Sequence, residues 1–110
     1  MRADFTFSPA HQGAPALAHG GAIAAVCDDL LGHVLRLVGP PAVTRRLEVD
    51  YLRPVVLGEP HRLAARLDAQ EGRKLWISGE AVGHDGEFRF RACGLFVQVR
   101  DAYFHGVAAR

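Results

Sequence analysis

One run of residues constrains this chain more than any other. From Gly21 to Val38 the sequence reads GAIAAVCDDLLGHVLRLV, with Ala and Leu throughout and no proline, and it stops at Gly39-Pro40-Pro41. Ala and Leu are among the best helix formers, and proline cannot continue a helix. The pattern predicts one long helix that starts at Gly20 or Gly21 and is stopped by Gly39. Downstream the period changes. Residues 42–53 (AVTRRLEVDYLR) alternate, with Val43, Arg45, Leu47, Val49 and Tyr51 on one side and Thr44, Arg46, Glu48, Asp50 and Leu52 on the other. Alternation is the signature of a strand, and Arg45 is the polar exception on the apolar side.

Three further strands are expected over 60–68, where helix is the alternative, 74–84 and 87–100, the last with Phe88, Phe90, Ala92, Gly94, Phe96 and Gln98 in phase. Turns fall around Gly72 and at His84-Asp85-Gly86. Residues 2–7 alternate weakly through Phe5 and Phe7 and offer a short extra strand. Residues 8–19, with two prolines and a glycine, read as a loop, and no element is assigned from Asp101 to Arg110. A long helix followed by hairpin-linked strands is an α+β pattern, with the helix packed on one curved antiparallel sheet. At 110 residues the chain is one domain, 1–110.

Composition excludes several classes. A net charge of +1 gives no electrostatic case for binding nucleic acid. No apolar run reaches the roughly 18 residues that span a bilayer, and residues 1–13 do not read as a signal peptide. Cys27 and Cys93 sit in apolar runs with no partner at metal-ligand spacing, so no metal or disulfide is expected, both read as core thiols, and a reducing cytoplasm fits best.

The helix divides into three stripes. Ile23, Cys27, Leu30, Val34 and Leu37 make the apolar one, suited to the sheet. Val26, Asp29, His33 and Arg36 make a polar one. Gly21, Ala24, Ala25, Asp28 and Gly32 make a stripe of small residues in which Asp28 alone is charged. Two adjacent acids therefore meet different surroundings: Asp29 is a solvated helix residue, and Asp28 faces whatever approaches the small stripe. A salt-bridged or exposed Asp28 is the bland alternative.

His19-Gly20-Gly21-Ala22-Ile23-Ala24, with Asp28 nine positions after the histidine, resembles the hotdog-fold acyl-CoA thioesterases of the PaaI type. The approach loop HQGAPALA, the strand Leu47-Glu48-Val49-Asp50-Tyr51-Leu52-Arg53-Pro54, Gly58-Glu59 and the Gly72-Arg73 turn resemble the same family. The likeness runs over roughly residues 5–100. It implies a hotdog fold, acyl-CoA as partner and substrate, no cofactor, and a homodimer that pairs further into a homotetramer. The family's catalytic acid falls on Asp28, in an Asp-Asp doublet where many relatives have Asp-Glu. Thr44 matches a strand Ser or Thr that assists in some relatives, and His11 and Gln12 stand where some carry Asn or Gln.

The chemistry suits these residues. Thioester hydrolysis passes through an oxyanion, and a helix N-terminus offers free N–H groups and a positive dipole end. Gly20 and Gly21 would present that backbone to substrate. Asp28 would serve as general base or as nucleophile, Thr44 would hold the water, and His19 would orient the loop. Arg53, Arg73 and Lys74 are candidates for the CoA phosphates, with ordinary solvated surface as the alternative. Trp76, Phe88, Phe90 and Phe96 read as core, and His33, His61, His84 and His105 as structural or surface. Gly20 and Asp28 lie eight residues apart on one helix, roughly 12 Å at about 1.5 Å per residue. One carbonyl cannot reach both, so the site is expected to take them from different subunits. Two other functions stay open at this point: a hotdog hydratase or dehydratase that pairs His11 or His19 with Asp28, and a non-catalytic acyl-CoA binder.

Overall fold

The computed structural model describes residues 1–13, 15–39 and 41–99. His105, with the rest of the segment after 99, lies outside them. Helix α1 occupies Gly20–Val38, and Gly39 ends it at φ +132°, a backbone angle that a side chain would oppose. The strands are β1 Arg2–Thr6, β2 Ala42–Tyr51, β3 Pro60–Glu71, β4 Lys74–Val82 and β5 Phe88–Gln98. They form one antiparallel sheet in the order β1-β3-β4-β5-β2. The weakly alternating N-terminal residues do form a strand. The expected loop 8–19 contains a short 3-10 turn at Pro9–His11.

The connectivity corrects one expectation. Hairpins join only β3 to β4 and β4 to β5, whereas β2 pairs with β5 at the far edge. The segment between β2 and β3 does not turn tightly, because it is anchored on the way: Val55 is buried, and its carbonyl accepts the N–H of Ala18 at 2.9 Å. As a result β2 is an edge strand, with one row of backbone groups open.

The helix lies across the inner face of the sheet. Ile23, Cys27, Leu30, Leu31, Val34 and Leu35 pack against Leu63, Ala65, Leu75, Ile77, Phe90, Ala92 and Phe96. The buried face is centred nearer Leu31 than the sequence stripe suggested. Leu37 falls on its flank in the last turn and is 76% exposed, contrary to expectation. The approach is closest over β4 and β5. A Cβ at Gly79 would stand 2.8 Å from the Ala64 carbonyl oxygen and 3.2 Å from Leu30 and Leu31, and one at Gly94 would meet Phe96 and Leu31. These two glycines let the helix sit down on the sheet.

Two presumed core residues turn out to face the other way. Cys93 is exposed, because it shares an outward row with Glu48 and Ser78, out of phase with Ala92 and Gly94. Trp76 is half-buried and lines an outer-face groove with Arg46, Glu48 and Leu95.

Candidate active site

The alternation of β2 breaks once. The pairing with β5 slips between Thr44 and Arg46, so that Thr44 opposes Phe96 and Arg46 opposes Leu95, leaving Arg45 as the extra residue of a β-bulge. Cross-strand partners share a face, so Thr44 joins Leu47 and Val49 on the helix side. The sequence pattern had put Thr44 on the opposite side and Arg45 inward. The bulge removes that polar exception and aims Thr44 at the helix, where its hydroxyl donates to Asp28 Oδ1 at 3.0 Å. Asp28 is half-buried and Asp29 is exposed, which is the difference that the small stripe implied. A cavity of about 440 Å³ opens beside the pair, lined by Gly32, Leu35, Ala42 and Phe96 among others.

The N-terminus of α1 lies elsewhere. His19 is the N-cap residue, with extended backbone at φ −80° and ψ 156°, and its Nδ1 accepts the N–H of Ala22 at 3.0 Å. Accepting there requires the imidazole proton to sit on Nε2. The cap fixes the first helical turn. A Cβ at Gly21 would press on this ring at 3.2 Å. The N–H groups of Gly20 and Gly21 have no acceptor among the described residues. They edge a cleft of about 670 Å³ whose other walls are Leu17, Ala18 and the segment from Tyr51 to Val55. The approach loop is held through its backbone. Gly13 donates to Leu17 at 2.8 Å and His19 to His11 at 2.9 Å, and Ala16 takes φ +63°. His11 thus reaches the helix start with its carbonyl, while its Nδ1 accepts from Ser8. Gln12 bridges to Ala18.

Tyr51, which sequence reasoning did not single out, walls the same cleft. Its hydroxyl donates to the Gly20 carbonyl at 2.9 Å, and a Cβ at Gly20 would touch the tyrosine at 3.4–3.6 Å. The space left by the missing side chain of Gly20 therefore faces Tyr51. The motif revealed an aromatic at the strand end, but its partner lies 31 residues away in sequence.

The basic candidates separate. Arg53, beside the helix N-terminus, is engaged with Glu87 at 3.1 Å and the Phe88 carbonyl at 3.0 Å. Arg73 and Lys74 lie at the other end of the sheet, where Lys74 pairs with Val97 and the Arg73 carbonyl accepts from Gln98. Within one chain the two halves of the expected site thus stand apart: Gly20, Gly21 and Arg53 at one end, and Asp28, Thr44, Arg73 and Lys74 toward the other. Among the described residues neither His11 nor His19 bonds to Asp28; each accepts a backbone N–H at Nδ1.

A second polar cluster ties the β2–β3 segment to the β4–β5 hairpin. Buried Glu59 accepts from Arg89 at 2.9 Å and lies 2.7 Å from His84 Nδ1, and Arg89 also pairs with Asp85 at 3.0 Å. Burial alone would raise the Glu59 carboxyl, but the hydrogen bonds from His84 and Arg89 outweigh it and hold the group below the usual carboxylate range. Next to it His61 is 1% exposed, and neither ring nitrogen has a hydrogen-bond partner among the described residues. Burial depresses its basicity. Burial also pushes the Cys27 thiol up to about 12, with the Asp28 charge adding to the effect. Among the described residues no group of side chains could hold a metal ion, and no helix is long and apolar enough to cross a membrane.

Residues 16–87 match the thioesterase superfamily. The chain is 35% identical over 96 residues to the acyl-coenzyme A thioesterase THEM4 of Bos taurus, an alignment that covers 86% of this chain and 39% of that protein. Among solved structures, the thioesterase superfamily protein RHA08564 superimposes with a TM-score of 0.83 at 34% identity, over 88% of this chain and 48% of that one. The PaaI protein of the E. coli phenylacetic acid degradation operon gives a TM-score of 0.83 at 18% identity, over 90% of this chain and 72% of its own. The chain spans less than half the length of the first two.

Proposed function

Because the chain belongs to the thioesterase superfamily, with the hotdog fold of PaaI, we propose that it hydrolyses acyl-coenzyme A thioesters to a carboxylic acid and a free thiol. The observation that carries the reading is the bulge-aimed hydroxyl of Thr44 on the Asp28 carboxylate. A carboxylate that accepts one hydroxyl keeps lone pairs for a second donor. Water held between Asp28 and Thr44 gives up its proton to Asp28 as it attacks the thioester carbon. In the nucleophilic variant Asp28 attacks directly, and water cleaves the resulting anhydride. The N–H groups of Gly20 and Gly21, fixed by the His19 cap, stabilise the oxyanion. Collapse of the tetrahedral intermediate expels the CoA thiolate.

The site is shared. Gly20 and Asp28 are roughly 12 Å apart along α1 and border different cavities. A second copy brings the Gly20 end of one chain to the Asp28 end of the other. The open edge of β2 is a surface on which two copies can extend the sheet, and half-exposed Val43 and Tyr51 lie along it. In such a dimer Arg53 of one protomer and Arg73 and Lys74 of its partner border one site, where the CoA phosphates need positive charge. His11 and Gln12 shape the loop beside the acyl–sulfur bond. The dimers pair further into a tetramer. Two free thiols fit a reducing compartment such as the cytoplasm.

The test is release of free thiol from a panel of acyl-CoAs, run from acetyl-CoA to long-chain and aryl thioesters. Turnover of at least one member is expected. Thermal stabilisation by acyl-CoA with no thiol released across the panel would show a binder and overturn the hydrolase reading.

A further inference from the structure

The Gly20–Gly21 peptide is gripped from one side only. Its carbonyl oxygen accepts the Tyr51 hydroxyl at 2.9 Å, and its N–H, on Gly21, meets no acceptor among the described residues. Oxygen and N–H are the two poles of one planar amide. A hydroxyl donated to the oxygen draws electron density through the amide and makes the N–H a stronger donor, the ordinary cooperativity of linked hydrogen bonds. It also stops the plane from rocking, and that plane sits between two glycines, the residues that restrain it least. Tyr51 is the last residue of β2, so the contact links the sheet edge to the first turn of the helix.

We propose that Tyr51 is a positioning residue for hydrolysis, acting through the Gly20–Gly21 peptide to orient and polarise the Gly21 N–H toward the developing oxyanion. This rests on the thioesterase reading above. An interaction that strengthens as charge develops lowers kcat when removed and leaves KM nearly unchanged.

The experiment uses the full chain and the acyl-CoA turned over fastest in the panel. Tyr51→Phe keeps the ring against Gly20 and removes only the hydroxyl. Expected is a fall in kcat of about 5-fold, the weight of one neutral hydrogen bond, with KM within about twofold. Site-specific replacement of Tyr51 by 3-fluorotyrosine, a stronger donor of nearly the same shape, should give a kcat at or above that of the natural residue. A packing role alone would not produce the order Phe, Tyr, fluorotyrosine, and the fluorinated variant keeps the test intact if the phenylalanine one folds poorly. Equal kcat in all three, or a loss carried by KM, would overturn the role of Tyr51 alone. A natural chain that releases no thiol would overturn the thioesterase reading and this role with it.

Discussion

Thr44 meets Asp28 at 3.0 Å because β2 contains one residue more than its partner β5 requires. The bulge at Arg45 inverts the face on which residues 42–44 project, and Thr44 becomes a hydroxyl donor aimed at the half-buried acid of the helix.

That contact separates two neighbouring acids. Asp28→Asn should lower kcat by about 100-fold or more, the usual weight of a general base. Asp29→Asn, on the exposed face, should stay within about twofold. Thr44→Val should fall between them, near 10-fold for one lost hydrogen bond at the reacting water. Steady-state thiol release on the three variants decides it, and equal losses at Asp28 and Asp29 would reverse the assignment.

A shared site predicts rescue between two dead proteins. Asp28→Asn removes the base. Gly20→Pro removes an N–H, and the extended backbone of His19, φ −80° and ψ 156°, is what a residue before proline adopts. Random mixing makes about half the dimers mixed, each with one intact site, so co-refolded protein should recover up to roughly a quarter of wild-type activity. Native mass spectrometry confirms the mixing. Verified mixed dimers without activity would place the whole site in one chain.

Packing of the helix onto the sheet depends on Gly79. A methyl there would stand 2.8 Å from the Ala64 carbonyl oxygen and 3.2 Å from Leu30 and Leu31, and a backbone atom cannot step aside like a side-chain tip. Gly79→Ala should cost about 1–3 kcal/mol, read by urea denaturation. Gly32→Ala, with nothing within 4 Å of the new carbon among the described residues, serves as the control and should be neutral or slightly stabilising.

Acid should weaken the fold through His61. Burial lowers its pKa in the native state, so between its native value and the unfolded value near 6.5 the unfolded chain holds more protons. Stability is complete above about pH 6.5 and falls as pH drops through that window, by at most about 1.4 kcal/mol per pH unit for one proton. Glu59, held low by His84 and Arg89, adds a loss of the same sign at more acid pH. His61→Phe should flatten the slope below about pH 6.5 in urea melts, since it removes a titrating ring whose buried nitrogens have no partner among the described residues. An unchanged slope would assign the acid lability elsewhere.

The helix was legible because its signals are local: a proline-free Ala/Leu run that begins at two glycines and a glycine-proline stop. Sheet membership followed from alternation, but strand order did not, since the pairing of β2 with β5 depends on where Val55 anchors and not on turn length. The bulge left one trace, the misplaced charge of Arg45, which marks an irregularity without saying how the chain resolves it. Tyr51 and Gly20 left none as a pair, because a contact across 31 residues has no spacing to read. Cys93 and Leu37 were misjudged for a related reason: an apolar run names the residues available for burial, while register and helix rotation decide which are taken.

The helical spacing of Gly20 and Asp28 restricts insertions and deletions more than substitutions. Replacing Ala24 or Val26 edits one contact. Adding or deleting one residue between the two ends turns everything beyond it by about 100° and shifts it by about 1.5 Å along the axis, which swings the Asp28 carboxylate away from Thr44. A two-turn change of about seven residues would restore the direction, but it would carry Asp28 about 10 Å along the strand, past the bulge that presents its partner. This stretch of the chain can vary in its letters while its count stays fixed.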